Sequence, residues 1–235
     1  MNVVRVDTVE STQTLAKDLA AGGAPHGLVV RAERQTRGRG RLSRSWESEP
    51  GEGLLFSIVL RPGGALRDAP LLTLGAAAGL AEALDTKVKW PNDLVVGDPG
   101  AGPRKLGGLL GELETDPGEA GPTVRHVVLG VGLNVLQRSF PPHLPFATSL
   151  WRERAGPRRA ELDRDEVFEC AVAAILRWHD HPERLGLWRR RAHTLGERVT
   201  LNTGQGAITG VATGLADDGA LLVDGRAVYV GEIAG

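Results

Sequence analysis

The hydrophobic pattern of the chain changes near residue 197, and this change limits the possible folds more than any other feature of the sequence. Before it, segments with helical periodicity alternate with short apolar segments typical of strands. After it, four short alternating segments predict a hairpin meander. We therefore predict two domains, at residues 1–190 and 191–235, the second being a small SH3-like β-barrel.

The first domain is predicted to contain both helices and strands. The periodicity predicts helices at residues 11–21, 71–84, 163–178 and 183–195. It predicts strands at residues 27–34, 54–60, 87–90, 93–97, 105–114 and 124–135. Two single residues are assigned within this pattern: Gly196 as the C-cap of the last helix and Cys170 as a core residue.

The number of cysteines and the hydropathy of the chain indicate the cellular compartment in which the protein acts. The one cysteine, Cys170, excludes an intramolecular disulfide and fits a reducing cytoplasm, where we expect the protein to act. No apolar run approaches the roughly 20 residues that span a bilayer, and the N-terminus has no signal-peptide core. We expect no membrane partner.

The charge is unevenly distributed. The net charge of −1 argues against bulk affinity for nucleic acid, so no nucleic-acid partner is expected. Between Arg31 and Arg44, however, six arginines and one acid, Glu33, leave a local charge of +5. A cationic segment on a mildly acidic body suggests a small anionic ligand.

The same segment contains a glycine- and arginine-rich loop, QTRGRGRLSRSW (35–46). Its glycines allow backbone N–H groups to approach a ligand, and its arginines match phosphate or carboxylate oxygens two at a time. Trp46 offers a flat face to a base. The loop is equally typical of a solvated basic segment or a short RNA-binding arm.

Two further segments contain candidate catalytic side chains. In KWPND (89–93), Asn92-Asp93 is explained by turn chemistry, or else the carboxylate of Asp93 faces an amine or a metal ion. In KLGGLLGE (105–112), Lys105 is either an exposed edge residue or a point charge for a carboxylate and a phosphate. The chain has only four lysines beside 24 arginines, which gives Lys105 some weight.

Three other features have competing explanations. The glycines of GVGLN (130–134) indicate that something lies against the strand, and Asn134 either orients a ligand or ends the strand. Ser11-Thr12 fits a helix N-cap or a site for a polar ligand atom. His179 and His181 do not share a helix face, so a structural role is favoured over a metal pair.

Taken in order, these motifs resemble the biotin–protein ligases over nearly the whole chain. The matching segments are Ser11-Thr12, Gln35 with GRGRLSRSW (38–46), KWPND (89–93), KLGGLLGE (105–112) and GVGLN (130–134). The tail resembles the family's SH3-like C-terminal domain. The resemblance implies an α+β catalytic domain similar to class II aminoacyl-tRNA synthetases, with a mixed, mostly antiparallel sheet. It also implies a short form without the N-terminal DNA-binding domain of some members.

The resemblance implies a two-step reaction with ATP and Mg²⁺ as cofactors. Biotin and ATP give biotinyl-5′-AMP, and a lysine of a biotin carboxyl carrier protein, the partner, then accepts biotin. Related lipoate or octanoate transferases share the fold and form the alternative. An exposed sheet edge would permit two copies of the chain to form a homodimer.

Site residues follow from the matched motifs. The resemblance implies that biotin is bound by Ser11, Thr12, Gln13, Gln35, Arg39, Gly40, Arg41, Lys105 and Gly107. It implies that the nucleotide is bound by Arg41, Arg44, Trp46 and Asn134. It implies catalytic roles for Lys105, Arg39 and Asp93, and it assigns no metal ligands. Gln13 stands where the family often has asparagine.

Overall fold

The structure is a computed structural model, which describes residues 1–62, 66–97, 102–117, 121–204 and 206–233. The chain forms two compact units. The first contains Met1–Ala69 and Leu106–Glu169, and the second contains Pro70–Lys105 and Cys170–Gly235. The predicted domain boundary at residue 191 follows the sequence pattern rather than these units, and it stays a prediction.

The described residues form strands and helices with the following bounds. The strands are β1 (Asn2–Val9), β2 (Leu28–Gln35), β3 (Gly53–Leu60), β4 (Lys87–Lys89), β5 (Asp93–Val96), β6 (Arg104–Asp116), β7 (Thr123–Asn134), β8 (Arg198–Thr203), β9 (Gly206–Leu215), β10 (Leu221–Val223), β11 (Arg226–Val228) and β12 (Glu232–Ile233). The helices are α1 (Thr12–Ala21), α2 (Ala69–Leu84), α3 (Leu150–Glu153), α4 (Pro157–Ala160), α5 (Arg164–Trp178) and α6 (Arg184–Arg191). Within these residues, no helix has both the length and the apolar character that crossing a membrane requires.

The sheet of the first unit is mixed and mostly antiparallel, as predicted. Its strands β1 and β2 are parallel, and β2, β3, β7 and β6 follow as antiparallel neighbours. The apolar strand β3 is buried at every position, which places it in the centre of the core. Strand β1 was not predicted. Its alternation of valine with polar residues, half exposed, fits the edge position that it occupies.

Helix α1 packs on one face of this sheet. Its Ala16 and Ala20 form a buried cluster with Val30, Val59 and Val128. Alanines on the inner face let the helix lie close to the strands, so its first turn has a fixed position.

The N-terminal turn of α5 is fixed to the same unit by charged and aromatic contacts. Arg31 on β2 lies 2.5 Å from Asp165 and 4.6 Å above the ring of Phe168. Phe168 packs edge-to-face on Phe56 with ring centroids 5.3 Å apart. Because the Arg31 side chain is only 3% exposed, its charge needs this partner.

The second unit contains a close helix contact. A Cβ added at Gly75 would lie 2.5 Å from the carbonyl oxygen of Trp178, and one at Gly79 would lie 2.5 Å from Trp178 Cβ. The two glycines are one turn apart in α2, so they share a face. His179 is buried beside this contact, with Nδ1 3.0 Å from the carbonyl oxygen of Leu176, and the expected structural role accounts for it.

The C-terminal residues form a five-stranded antiparallel sheet in the order β11-β10-β9-β8-β12. The β-rich tail was predicted, but the closed barrel was not correct. No pairing within residues 194–204 and 206–233 joins β11 to β12. The sheet is open because β12 has only two residues and pairs with β8 alone.

Two single-residue predictions were wrong. Cys170 is exposed, because the buried stripe of α5 runs through Phe168, Ala171 and Ile175 and does not include it. Gly196 does not cap α6, which ends at Arg191. Gly196 instead has φ 87° in the turn before β8, where its N–H donates to the carbonyl of Ala212.

Candidate ligand-binding site

The start of α1 and the end of β2 meet through hydrogen bonds to one amide oxygen. Gln35 Oε1 accepts the backbone N–H of Thr12 at 2.8 Å and its hydroxyl at 3.0 Å. Ser11, which is buried, is the N-cap: its Oγ accepts the N–H of Gln13 at 3.2 Å. That bond does not use the hydroxyl hydrogen of Ser11. The structure therefore brings Ser11, Thr12 and Gln35 together.

Gln13 and Ser57 extend these contacts into the sheet. Gln13 Nε2 donates to the carbonyl oxygens of Leu110 and Val128 at 3.2 and 2.8 Å. Ser57 Oγ donates to Gln13 Oε1 at 3.0 Å and lies 2.9 Å from Thr12 Oγ1. Sequence reasoning missed Ser57, although it is the one polar residue of the strand LLFSIVL. We call Ser11, Thr12, Gln13, Gln35 and Ser57 the polar wall.

The glycine- and arginine-rich loop is a tight hairpin. The N–H of Trp46 donates to Gly38 O at 3.0 Å, and the N–H of Gly40 donates to Arg44 O at 2.7 Å. A Cβ at Gly38 would lie 3.0 Å from Gln35 Nε2, so the base of the hairpin lies against the polar wall. At its tip, Leu42 has φ 53° and is 66% exposed. A strained, exposed apolar residue is typical of loops that contact a ligand.

The hairpin borders a cavity of about 830 Å³. The lining residues come from the hairpin and from β6: Thr36, Arg37, Gly38, Arg39, Gly40, Arg41, Leu42, Arg44, Ser45, Leu110 and Glu112. Four of them are arginines, and Glu112 is the single acid among them. The cavity is therefore suited to an anionic ligand.

Arg39 is held by this acid. Its Nη1 and Nη2 lie 3.1 and 2.7 Å from the two oxygens of Glu112, a bidentate pair. Lys17 Nζ lies 3.9 Å from the same carboxylate. Arg37 pairs instead with Glu10 at 2.8 Å. Binding of an anion at Arg39 thus competes with Glu112.

Two predicted site residues lie against other parts of the first unit. The indole of Trp46 lies over Gly132, where an added Cβ would be 2.6 Å from Nε1. Asn134 is buried and donates from Nδ2 to Thr148 O at 2.9 Å. Both residues thus have a structural function at the end of β7.

The glycines of β6 and β7 are explained by contacts within the protein. A Cβ at Gly107 would lie 2.7 Å from the carbonyl oxygen of Gly132. One at Gly130 would lie 2.5 Å from Gln13 Oε1. The predicted close approach is therefore present, and protein atoms make it.

In the second unit, Lys105 and Asp93 form an ion pair. Lys105 Nζ lies 2.7 Å from Asp93 Oδ1, and the side chains are 39% and 21% exposed. Trp90 of the same motif is an anchor: Nε1 donates to Gly219 O at 3.2 Å and the backbone N–H donates to Thr194 Oγ1 at 3.1 Å. The Trp90-Pro91 peptide bond is cis. The motif therefore combines a buried tryptophan with an accessible carboxylate.

Comparison with known protein families identifies the family to which a chain with this site belongs. A model of the biotin/lipoate A/B protein ligase family matches residues 5–134, which include the polar wall and the hairpin. The chain belongs to this family. A second model, the biotin protein ligase C-terminal domain, matches residues 194–234. This member of the family is accordingly a ligase.

Individual relatives agree with the family match. The bifunctional ligase/repressor BirA of Bacillus subtilis is 35% identical over 93% of this chain and 68% of that protein. The biotin–[acetyl-CoA-carboxylase] ligase of Mycobacterium tuberculosis is 34% identical over 96% of this chain and 86% of that protein. The biotin protein ligase of Aquifex aeolicus, solved in complex with biotin and ATP, superimposes with a TM-score of 0.73 at 31% identity, covering 99% of this chain and 97% of that one.

Proposed function

We propose that this ligase activates biotin with ATP and transfers it to a lysine of a biotin carboxyl carrier protein. In the first step a biotin carboxylate oxygen attacks the α-phosphorus of ATP, forming biotinyl-5′-AMP and releasing pyrophosphate. In the second, the lysine amine attacks the acyl carbon, an amide forms, and AMP leaves. The observation that carries the proposal is the cavity lined by four arginines of one hairpin, in a chain of this family.

The polar wall supports biotin as the substrate. The proposed contacts to its ureido ring are Ser11, Thr12 and Gln35. Gln13 is proposed as a further biotin contact, and both of its amide hydrogens are donated to backbone carbonyls. Thr12 and Gln35 are fixed by mutual hydrogen bonds, so they are positioned before a ligand binds. A site that pairs every polar atom of a buried ring rejects analogues that lack those atoms.

The hairpin supports an acyl-phosphate as the group it covers. Arg39, Gly40 and Arg41 are proposed to meet the carboxylate and the phosphate, and Arg44 to reach phosphate as well. Guanidinium groups stabilise charge that develops on phosphate oxygens when water is excluded. Trp46 and Asn134 are proposed to lie on the nucleotide side, and Gly107 on the biotin side.

Lys105 and Asp93 are proposed to act on the reacting groups. Lys105 would bridge the biotin carbonyl and the phosphate, and Asp93 would receive or orient the lysine of the carrier. Their ion pair supports this assignment, because it holds the two side chains next to each other, with Nζ 2.7 Å from Oδ1.

Mg²⁺ is proposed to enter with the nucleotide. Among the residues that the structure describes, no group of three histidine, cysteine or acidic side chains is placed to hold a metal ion. Mg²⁺ commonly takes most of its ligands from phosphate oxygens and water. The proposed contribution of the protein is therefore the arginine-lined cavity that holds the phosphates.

Exchange of labelled pyrophosphate into ATP tests the substrate. We expect exchange to require biotin and to be absent with lipoate or octanoate. Exchange with lipoate and not with biotin would assign the chain to the other branch of its family.

A homodimer, the cytoplasmic location and the lack of nucleic-acid binding stay predictions. Sedimentation analysis tests the first, and submicromolar, steeply salt-dependent RNA binding would contradict the last.

The role of Lys105 has its own test. Lys105→Ala should lower the exchange rate about 100-fold or more, because a charge that meets the transition state is lost. The melting temperature should change little, since the side chain is 39% exposed. Lys87→Ala, a lysine elsewhere in the same unit, is the control. Wild-type turnover by Lys105→Ala would remove this lysine from the mechanism.

A further inference from the structure

The carboxylate of Glu112 has two cationic partners. Arg39 holds it in a bidentate pair, with Nη1 and Nη2 at 3.1 and 2.7 Å from the two oxygens. Lys17 Nζ lies 3.9 Å from Oε2, which is too far for a hydrogen bond but close enough for an ion pair. One negative charge therefore has a positive charge from two different elements beside it.

Lys17 and Arg39 are held at this carboxylate in different ways. Lys17 is on α1, and Gln13, one turn earlier on the same face of that helix, donates to the carbonyl oxygen of Leu110 at 3.2 Å. Leu110 is two residues before Glu112 on β6, so this bond joins helix and strand next to the carboxylate. Arg39 instead reaches Glu112 from the hairpin. A change of partner by Arg39 therefore leaves Lys17 in place.

Binding of an anion at the hairpin changes the surroundings of Glu112. Arg39 and Glu112 both line the cavity. A ligand group that takes the donors of Arg39 leaves the carboxylate at the wall of a cavity that now holds a second negative charge. The Glu112 side chain is only 22% exposed, so water compensates this repulsion incompletely. A cation that stays beside Glu112 reduces the repulsion, and Lys17 has this position.

We propose that Lys17 is a positioning residue, which balances the charge of Glu112 when Arg39 exchanges this carboxylate for the anionic group of the ligand. The inference rests on the proposed function, in which Arg39 meets the carboxylate and the phosphate. Lys17 acts through Glu112 and does not contact the ligand. Without Lys17, Glu112 holds Arg39 more strongly and repels the ligand, and both effects lower the affinity for anions. A neutral ligand has no charge with which Arg39 can pair, so its affinity does not depend on Lys17.

Binding of an anionic and a neutral ligand to the full chain tests this role. The probes are a non-hydrolysable biotinyl-AMP analogue with an anionic group in place of the acyl-phosphate, and biotin amide, which is uncharged. Lys17→Ala should weaken binding of the analogue about threefold to fivefold at low salt, the strength of an exposed ion pair. The loss should decrease at high salt, because the charges are then screened. Binding of biotin amide should change by less than about 1.5-fold.

A double substitution provides the control at the same position. Glu112→Gln removes the charge that Lys17 balances, so adding Lys17→Ala to it should change the affinity for the analogue by less than about 1.5-fold. Lys17→Arg keeps the cation and should bind the analogue like the wild type. Lys87→Ala makes the same change in net charge elsewhere in the chain and should have no effect. Lys17→Met, which keeps most of the side-chain length, serves if Lys17→Ala does not fold.

Three results would overturn the role of Lys17. The first is an unchanged affinity for the analogue in Lys17→Ala. The second is an equal loss in the Glu112→Gln background, which would mean that Lys17 acts without Glu112. The third is an equal loss with biotin amide, which would indicate a structural disturbance of the site. A wild type that binds neither probe contradicts the proposed function instead.

Discussion

The polar wall and the arginine hairpin are built on opposite principles. In the wall, Ser11, Thr12, Gln13 and Ser57 are at most 3% exposed, and their polar groups bond to one another or to the backbone. In the hairpin, charges dominate, and the side chain of Arg39 is 44% exposed beside its partner.

This difference separates recognition from catalysis. Buried neutral hydrogen bonds hold a fixed geometry whatever the solvent, so the wall can be selective before closure. Solvated charges interact weakly until water leaves, after which the same charges act strongly on a phosphate. We therefore expect changes in the wall to alter stability and selectivity, and changes in the hairpin to alter rate and anion affinity.

The largest effect is expected at Arg41 of the hairpin. Arg41→Ala should lower pyrophosphate exchange about 100-fold to 1,000-fold, because one donor to the developing charge is lost. The melting temperature should stay within about 1 °C, as expected for a surface change. Arg37→Ala is the control: Arg37 lines the same cavity but pairs with Glu10. Equal losses in both variants would mean that the hairpin acts only through its total charge.

A substitution in the polar wall should lower the stability of the protein. Gln13→Ala should lower the free energy of unfolding by about 2–4 kcal/mol, since it removes two buried hydrogen bonds and one part-buried hydrogen bond and leaves a cavity. Lys17→Ala, one turn further along α1 and only partly buried, should change it by less than about 0.5 kcal/mol. Urea unfolding measures both. A loss below about 1 kcal/mol for Gln13→Ala would mean that the neighbouring side chains rearrange around the missing amide. The polar wall would then be less rigid than its contrast with the hairpin requires.

At Glu112 we expect a smaller effect, and here the substitution should improve a property, the affinity for the ligand. Glu112→Gln frees Arg39 from its carboxylate and should tighten binding of a non-hydrolysable biotinyl-AMP analogue about twofold to fivefold, as the strength of an exposed ion pair implies. Glu114→Gln makes the same charge change two residues along β6 but faces His126, and it should leave the affinity unchanged. Calorimetric titration at low and high salt distinguishes them. Weaker binding by Glu112→Gln would show that Glu112 supports the closed hairpin instead of competing with the ligand.

The last effect concerns the pH dependence of stability and a histidine buried in the sheet. Burial holds the pKa of His126 below its usual value of 6.5, although Glu114 acts in the opposite direction and Arg61, Arg125 and Lys17 add to the lowering. A lowered pKa means that the unfolded chain binds a proton that the native chain does not. The free energy of unfolding should therefore fall as the pH drops below 6.5, by up to about 1.4 kcal/mol per pH unit. His126→Gln should flatten this dependence in urea titrations, and an unchanged slope would assign it to other groups.

The sequence predicts most of the fold because the fold depends on local periodicity. The apolar run of β3, the alternation in the tail and the start of a helix at Ser11-Thr12 are local signals, and the structure has a strand, a β-sheet and an N-cap at these places. The closure of the tail and the burial of Cys170 depend on which neighbours are present in space, and these predictions were wrong.

The candidate site divides in the same way. Ordered motifs indicate Thr12, Gln35 and the hairpin, because their side chains lie near one another on consecutive elements. Ser57 and Glu112 could not be assigned, since their importance comes from partners 44 and 73 positions away in the chain. Gly107 was indicated by the resemblance, as a biotin contact, and the atom nearest to a Cβ added there is the carbonyl oxygen of Gly132.

The most direct test of the account is transfer of biotin to an isolated biotin carboxyl carrier domain in the presence of MgATP. The account predicts one biotinyl group per carrier domain by mass spectrometry, with none when biotin, ATP or the acceptor lysine is omitted. It also predicts that Arg41→Ala slows the transfer, because a guanidinium group that meets the carboxylate and the phosphate is lost. Failure to label the carrier at saturating biotin and ATP, with the chain folded, would contradict the account.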